Sequence, residues 1–119
     1  MDTLSKIYIY ITEEIFKNNI NSDWYIMKFS NNFFIAIRYE SYTNVTFNTQ
    51  NRGWYISNTF TYELPFNTKH VSVSNSGSNS IIPINAWVDG NIFYTNYGRL
   101  WQDSDSFQCR IIILGFIDK

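Results

Sequence analysis

The chain has 119 residues, of which 45% are hydrophobic and 19% aromatic, and its formal net charge is −1. That length suits one domain with one core, and the apolar content excludes a disordered tail. Nine Lys and Arg residues balance ten Asp and Glu residues without forming a basic block. We therefore expect neither nucleic-acid binding nor adsorption to an anionic membrane, since both depend on clustered cations.

A single cysteine, Cys109, and a single histidine, His70, limit the chemistry that the chain can perform. They exclude a disulfide within the chain and a zinc site built from several Cys or His ligands. We expect His70 to be a loop residue and Cys109 to be an inert buried thiol. We predict no cofactor and no bound metal.

The longest apolar stretch, residues 111–117, is far shorter than the ~20 residues of a membrane-spanning helix. No basic segment precedes a long apolar run, so we predict neither an export signal nor insertion into a membrane.

The types of apolar residue favour strands over helices. The chain contains 17 Ile, 4 Val and 9 Thr residues, against 4 Leu and 2 Ala. Because β-branched and aromatic side chains prefer the extended backbone, the composition predicts an all-β domain.

The first 23 residues have a pattern that fits two structures. Ile7, Ile9 and Ile11 alternate with other side chains, which predicts a strand over 6–12. Apolar residues in the same stretch also recur at helical spacing. We treat residues 1–23 as an N-terminal strand or neck, with a polar turn over 18–23.

From residue 24 onward, alternating apolar residues and turn signals predict a series of short antiparallel strands. A run over 24–29, a turn at 30–32 and a strand over 33–40 form the first predicted hairpin. The remaining predicted elements are, in chain order, a short strand at Val45 and Phe47, a polar loop over 48–53, a strand over 55–64 closed by Pro65, a strand opening at Val71 and Val73, a loop over 74–80, a strand over 82–88, a two-residue turn at Asp89-Gly90, a strand over 92–97, a polar stretch over 98–106 and a last strand over 107–116.

These seven to nine strands, without an internal repeat or a linker, predict one antiparallel β-sandwich or jelly-roll-like domain over residues 1–119.

Carboxylate pairs are the remaining candidates for catalysis, since glycosidases need two carboxylates that face each other across a sugar. Glu13 and Glu14 are adjacent, so in a strand they point to opposite faces. Asp103 and Asp105 could converge on a cation or on sugar hydroxyls, although a solvated loop is the ordinary explanation for this spacing. A hydrolase would need another carboxylate opposite them, which no pattern indicates. We predict that the protein is not an enzyme.

Aromatic and polar side chains crowd into residues 94–105, much of which is predicted to be loop. A Trp or Tyr ring can stack on the apolar face of a sugar while acidic and basic side chains hydrogen-bond its hydroxyls. The alternative is that these rings fill the core or a subunit interface. Trp54 follows Arg52-Gly53 in another predicted loop and is open to the same two interpretations. The candidate carbohydrate-binding residues are Tyr97, Arg99, Trp101, Asp103, Asp105 and Trp54, with Tyr94 in the same crowded segment.

Three segments resemble the C-terminal domains of phage and prophage tail-fibre proteins. Residues 24–32 (WYIMKFSNN) are similar to the W-x-x-x-K-W-x-S-G opening of those domains. Residues 55–65 are similar to their middle strand, which ends in an aromatic residue or leucine followed by proline. Residues 111–117 are similar to their closing apolar strand, and together the segments extend the resemblance over residues 7–119.

The chain departs from this pattern at three points. Asn32 replaces the turn glycine, which is tolerable because Asn adopts positive φ more readily than most residues. Apolar residues around Ile35 replace an acidic residue, and Phe116 or Ile117 replaces a tryptophan near the end.

The resemblance implies a trimeric β-sandwich head at a fibre tip that adheres to bacterial surface glycans. It further implies other tail proteins as partners, and a location in the virion after synthesis in the bacterial cytoplasm. It does not indicate ligand residues, which rest on the aromatic segment alone. The alternative is a structural virion protein of a baseplate, head fibre or decoration layer, with no glycan ligand.

Overall fold

A computed structural model describes residues 11–16, 24–78 and 80–119. Within these ranges the protein is entirely β, with ten strands and no helix. The strands are β1 (Ile11–Phe16), β2 (Tyr25–Phe29), β3 (Phe33–Phe47), β4 (Thr49–Asn51), β5 (Trp54–Ile56), β6 (Phe60–Glu63), β7 (Thr68–Ser76), β8 (Ile82–Asp89), β9 (Ile92–Arg99) and β10 (Asp103–Ile117). No helix able to cross a bilayer occurs in the described ranges.

The strands form two antiparallel sheets, which confirms the predicted fold class. The first sheet has the order β1-β2-β3-β10-β7. The second has the order β4-β5-β9-β6, and β8 also pairs with β9. Every pairing between neighbouring strands is antiparallel.

One core lies between the two sheets and is built mainly from alternate residues of β2, β3, β9 and β10. Phe34 and Ile111 belong to the first sheet and Phe93 to the second, and all three side chains are fully buried. Trp24 packs edge-on against Phe93 at a centroid distance of 6.2 Å, and its Nε1–H donates to the carbonyl of Glu63 at 3.0 Å. This tryptophan therefore joins the two layers through both packing and a hydrogen bond.

The two longest strands, β3 and β10, are each continuous over 15 residues. The prediction of a separate short strand at Val45 and Phe47 is therefore wrong, as is the polar stretch predicted up to residue 106. Polar residues continue these strands because the ladder between β3 and β10 satisfies their backbone groups, whatever side chains they carry. The register between β3 and β10 shifts between Asp105 and Phe107. This shift is a β-bulge, and Asn44 on the facing part of β3 has φ 51°.

Two predicted loops are also partly strand. The polar segment 48–53 contains β4, which pairs with β5 as a hairpin. The segment 74–80 was predicted to be a loop, but β7 continues to Ser76 through its pairing with Arg110. In both places the partner strand overrides the turn preference of Asn and Ser.

Positive backbone angles mark the turns. Asn32 has φ 70° and donates its N–H to the carbonyl of Phe29 at 3.0 Å, which confirms the predicted turn. Asp89 pairs with Ile92, so the two-residue turn is Gly90-Asn91, one position later than predicted. His70 has φ 54° within β7, so the prediction that it is a loop residue is wrong.

The predicted N-terminal strand over 6–12 lies mostly outside the described residues, and so does the predicted turn over 18–23. The described part of this region, Ile11–Phe16, is the strand β1, which pairs with β2.

Candidate functional site

The candidate residues of the segment 94–105 lie where the chain crosses from the second sheet to the first. Arg99 ends β9, and Asp103 begins β10 opposite Phe47. The short connection 100–102 closes one end of the sandwich. The prediction that Asp103 and Asp105 lie in a loop is therefore wrong, because both belong to β10.

Arg99 forms an ion-pair network that links the two sheets. Its Nη1 donates to Oδ2 of Asp105 at 2.7 Å and lies 3.3 Å from Oδ1 of Asp103. Only 4% of Arg99 is exposed. A buried guanidinium needs such partners, because an unpaired buried charge is strongly destabilising.

This network keeps Asp105 ionised. The hydrogen bond from Arg99, together with the N–H of Ser106 at 2.7 Å, holds the pKa of the Asp105 carboxyl below its ordinary value. A general acid in a glycosidase needs a raised pKa instead. Asp105 is therefore suited to accept hydrogen bonds and unsuited to donate a proton.

Trp101 is held in place by the same cluster. The Arg99 guanidinium lies 4.2 Å from the centroid of its ring, and its Nε1–H donates to Oδ2 of Asp103 at 3.0 Å. The side chain nevertheless remains 46% exposed. The result is a solvent-facing aromatic surface whose orientation is set by a cation–π contact and a hydrogen bond.

Two of the predicted sugar-contacting residues are inside the protein. Tyr97 is fully buried, and its hydroxyl lies 3.0 Å from Sγ of Cys109 and accepts from Nδ2 of Asn75 at 3.1 Å. Arg99 is buried behind Trp101. The structure therefore brings Trp101, Asp103 and Asp105 together at the surface, and it removes Tyr97 and Arg99 from direct contact with a ligand.

Cys109 is buried, as predicted, and is the only cysteine of the chain. Burial raises the pKa of its thiol, so the nucleophilic thiolate is disfavoured. Among the described residues, no three His, Cys, Asp or Glu side chains are grouped so that they could hold a metal ion.

Trp54 lies apart from Trp101, on the outer face of the second sheet. It follows the tight turn Arg52-Gly53 and is half-buried at the rim of a pocket of about 350 Å³. Its neighbour Tyr55 pairs with Arg99, so Trp54 and the Arg99 network occupy the same end of the sandwich.

The same outer face carries an aromatic pair, Trp87 and Tyr94, of which the sequence analysis named only Tyr94. Trp87 stacks on Tyr94 with ring centroids 5.0 Å apart and planes inclined by 10°. Trp87 alternates with Ala86 and Val88, whose side chains pack against the core. That alternation is the signal that could have identified Trp87 as outward-facing.

Comparisons with known proteins give similarity only at the level of solved structures. No family model and no curated protein matches the chain. An N-truncated R1-type pyocin tail fibre is similar with a TM-score of 0.48 and 9% identity, over 92% of this chain and 87% of that one. A P. aeruginosa R1 pyocin fibre comprising C-terminal residues 323–701 gives the same score and identity, with 28% of its chain covered. Both of these structural neighbours come from R1 pyocin tail fibres.

Proposed function

We propose that the chain is a receptor-binding head domain of a phage-type tail fibre that adheres to bacterial surface polysaccharide. The observation that carries this proposal is the fixed, solvent-facing ring of Trp101, supported by Arg99 and Asp103. The sequence resemblance to C-terminal tail-fibre domains supports the same role.

The geometry around Trp101 suits a sugar. An aromatic ring already held in its binding orientation loses little conformational entropy when a pyranose stacks on it. Asp103 and Asp105 are partly exposed beside the ring, and their carboxylate oxygens can accept hydrogen bonds from hydroxyl groups. Arg99 acts as a positioning residue, since it is buried and its Nη1 faces the two carboxylates.

This function requires no catalytic step. We infer that the protein binds without turnover and that the head works as a homotrimer at the fibre tip of a virion. Three weak sites on one rigid head increase the overall binding strength through avidity.

The test is binding of wild-type and variant proteins to an array of purified bacterial lipopolysaccharides and capsular polysaccharides. We expect Trp101→Ala to lower binding to the recognised glycan about tenfold or more, as is usual for loss of a central aromatic contact. Leu100→Ala, which truncates an exposed neighbour, is the matched control and should bind as the wild type does. Equal binding of the Trp101 variant and the wild type would refute this site.

A structural virion protein is the second candidate function. It is favoured by large exposed side chains outside the candidate site, such as Tyr39, which is 63% exposed. In that case the wild-type protein would bind no glycan on the array and would instead bind purified tail components.

A further inference from the structure

The outer face of the second sheet contains a pocket that is separate from the Trp101 surface. Its lining combines one tryptophan, one cation, two amides and two aliphatic side chains. The lining residues are Asn51, Arg52, Trp54, Ile56, Ile84 and Asn85.

The floor of the pocket depends on the absence of a side chain at Gly98. A Cβ built at Gly98 would lie 2.7 Å from Cγ1 of Ile84, so the glycine lets Ile84 lie close over β9. Ile56, which lies on the neighbouring strand β5, pairs with Gly98 of β9. The two isoleucines thus form an apolar floor beside the half-buried ring of Trp54.

Arg52 occupies a backbone conformation that arginine rarely adopts. It has φ 52° and Gly53 has φ 88°, the two positive angles of a type I′ hairpin turn. Asn or Gly is preferred at the first of these positions, and other residues are strained there. Because the backbone disfavours arginine here, the side chain of Arg52 is the feature that calls for an explanation.

Among the described residues, the Arg52 side chain has no hydrogen-bond or ion-pair partner that would explain its presence. It is exposed, and within the described part of the chain no carboxylate lies at ion-pair distance from it. The turn places it at the rim of the pocket, next to Trp54. A guanidinium in this position can pair with a carboxylate or a phosphate through two hydrogen bonds.

From this combination we propose that the pocket binds a sugar that carries an anionic group. Trp54 stacks on the sugar ring, Arg52 pairs with the carboxylate or phosphate, and Asn51 and Asn85 hydrogen-bond hydroxyls. The inference builds on the proposed saccharide binding and narrows it to acidic saccharides. The pocket is nevertheless distinct from the Trp101 surface, so the two assignments can fail separately.

The test uses 19F NMR of the full chain labelled with fluorotryptophan. The four tryptophans give four resonances, which single Trp→Phe variants assign. Trp54 reports on the pocket and Trp101 on the other surface. Trp24 is fully buried and serves as a reference, and Trp87 is an exposed tryptophan outside the pocket.

The added sugars are glucuronic acid, glucose 1-phosphate and neutral glucose. We expect at least one acidic sugar to shift the Trp54 resonance at a concentration about tenfold lower than glucose needs, because a charge-assisted pair contributes that much to affinity. The resonances of Trp24 and Trp87 should stay in place. Comparing the two acidic sugars distinguishes a carboxylate from a phosphate.

Arg52→Asn separates recognition of charge from stability of the fold. Asn suits the positive φ of this turn, so we expect Tm to rise by about 2–4 °C while the preference for acidic sugars disappears. A variant that keeps the preference for acidic sugars would overturn the role of Arg52 as a ligand contact, whatever its Tm.

The remaining outcomes also decide the question. If no sugar shifts the Trp54 resonance, or if glucose shifts it as readily as the acidic sugars do, the proposal is wrong. A shift confined to Trp101 would overturn the pocket and leave the proposed function standing. If an acidic sugar shifts the Trp54 resonance but Trp101→Ala binds the glycan array as the wild type does, the pocket proposal stands and the Trp101 surface is refuted.

Discussion

At the scale of single residues, the buried Arg99 and its two acidic partners both connect the two sheets and position Trp101. The ion pair between Arg99 and Asp105 connects β9 of the second sheet to β10 of the first, at 2.7 Å. The same guanidinium supports the ring of Trp101. One arginine therefore closes the end of the sandwich and also orients the proposed binding surface.

The depressed pKa of Asp105 predicts a pH-dependent loss of stability. A carboxyl whose pKa is lower in the folded protein stabilises it above the unfolded pKa, and that stabilisation is lost as the pH falls through the folded pKa. We expect Asp105→Asn to have a lower Tm than the wild type at pH 7. The difference should shrink once the pH falls below the ordinary value of 3.8.

Thermal unfolding followed by circular dichroism across this pH range provides the measurement. Asp118→Asn is the matched control, because within the described ranges the Asp118 carboxylate makes an exposed contact with Lys69 at 4.0 Å and such pairs contribute little. A difference between Asp105→Asn and the wild type that stays constant down to about pH 2.5 would contradict the linkage.

At the scale of elements, β10 organises the first sheet. It pairs with β3 along nearly its whole length but with β7 only from Arg110 onward. On the N-terminal side of Arg110, where β10 has no pairing with β7, Ser78 Oγ donates to the carbonyl of Gln108 at 3.0 Å and accepts the N–H of Gln108 at 3.3 Å. Side chains thus replace the missing strand and satisfy backbone groups that would otherwise form an open edge.

Gly115 in β10 allows the close packing of β7 beside it, so substitution there should weaken the first sheet. A Cβ at this position would lie 2.7 Å from Cγ1 of Val71 and 3.3 Å from the carbonyl oxygen of Lys69. We expect Gly115→Ala to lower the free energy of unfolding by about 1–3 kcal/mol, as overpacking does. Equilibrium unfolding in urea measures this.

The variant Val71→Ala provides the control for this packing. Because it removes the nearest atom, the double variant should lose less stability than the sum of the two single variants. Additive losses would mean that the cost of Gly115→Ala does not arise from contact with Val71.

At the scale of the whole molecule, the two proposed binding surfaces lie at one end of the sandwich. The pairing of Tyr55 with Arg99 brings the hairpin that carries Trp54 beside the crossover that carries Trp101. A head that presents its binding surfaces at one end is suited to attachment through the tip of a fibre. Several copies held together would then face the same cell surface.

The proposed homotrimer predicts a specific mass in solution. Light scattering coupled to size exclusion should give about three times the chain mass of 14.1 kDa, because avidity at a fibre tip requires several heads to be held together. Repeating the measurement over a tenfold dilution distinguishes a stable trimer from weak association. A monomer at all concentrations would contradict the trimeric head.

The sequence was most informative where a local pattern was sufficient. Alternation places Phe60, Tyr62 and Leu64 on one face of the predicted strand over 55–64, and all three belong to the core or pack against it. The strand itself is divided, since residues 57–59 separate β5 from β6. The polar signal at residues 30–32 predicts the turn in which Asn32 has φ 70°. The same alternation places Tyr97 on the face of Phe93, so its burial could have been predicted, but the polar segment that follows it suggested a loop.

By itself, the sequence determined the all-β class, the positions of most strands and turns, and the burial of Cys109, because these depend on side-chain type and a period of two. The tertiary structure alone decided that Arg99 is buried, since the two carboxylates that make this possible belong to the opposite sheet. It also separated Trp54 from Trp101, because the face on which a ring lies depends on how the strands pair. The arrangement of a binding surface is set by contacts between strands, which no local pattern contains.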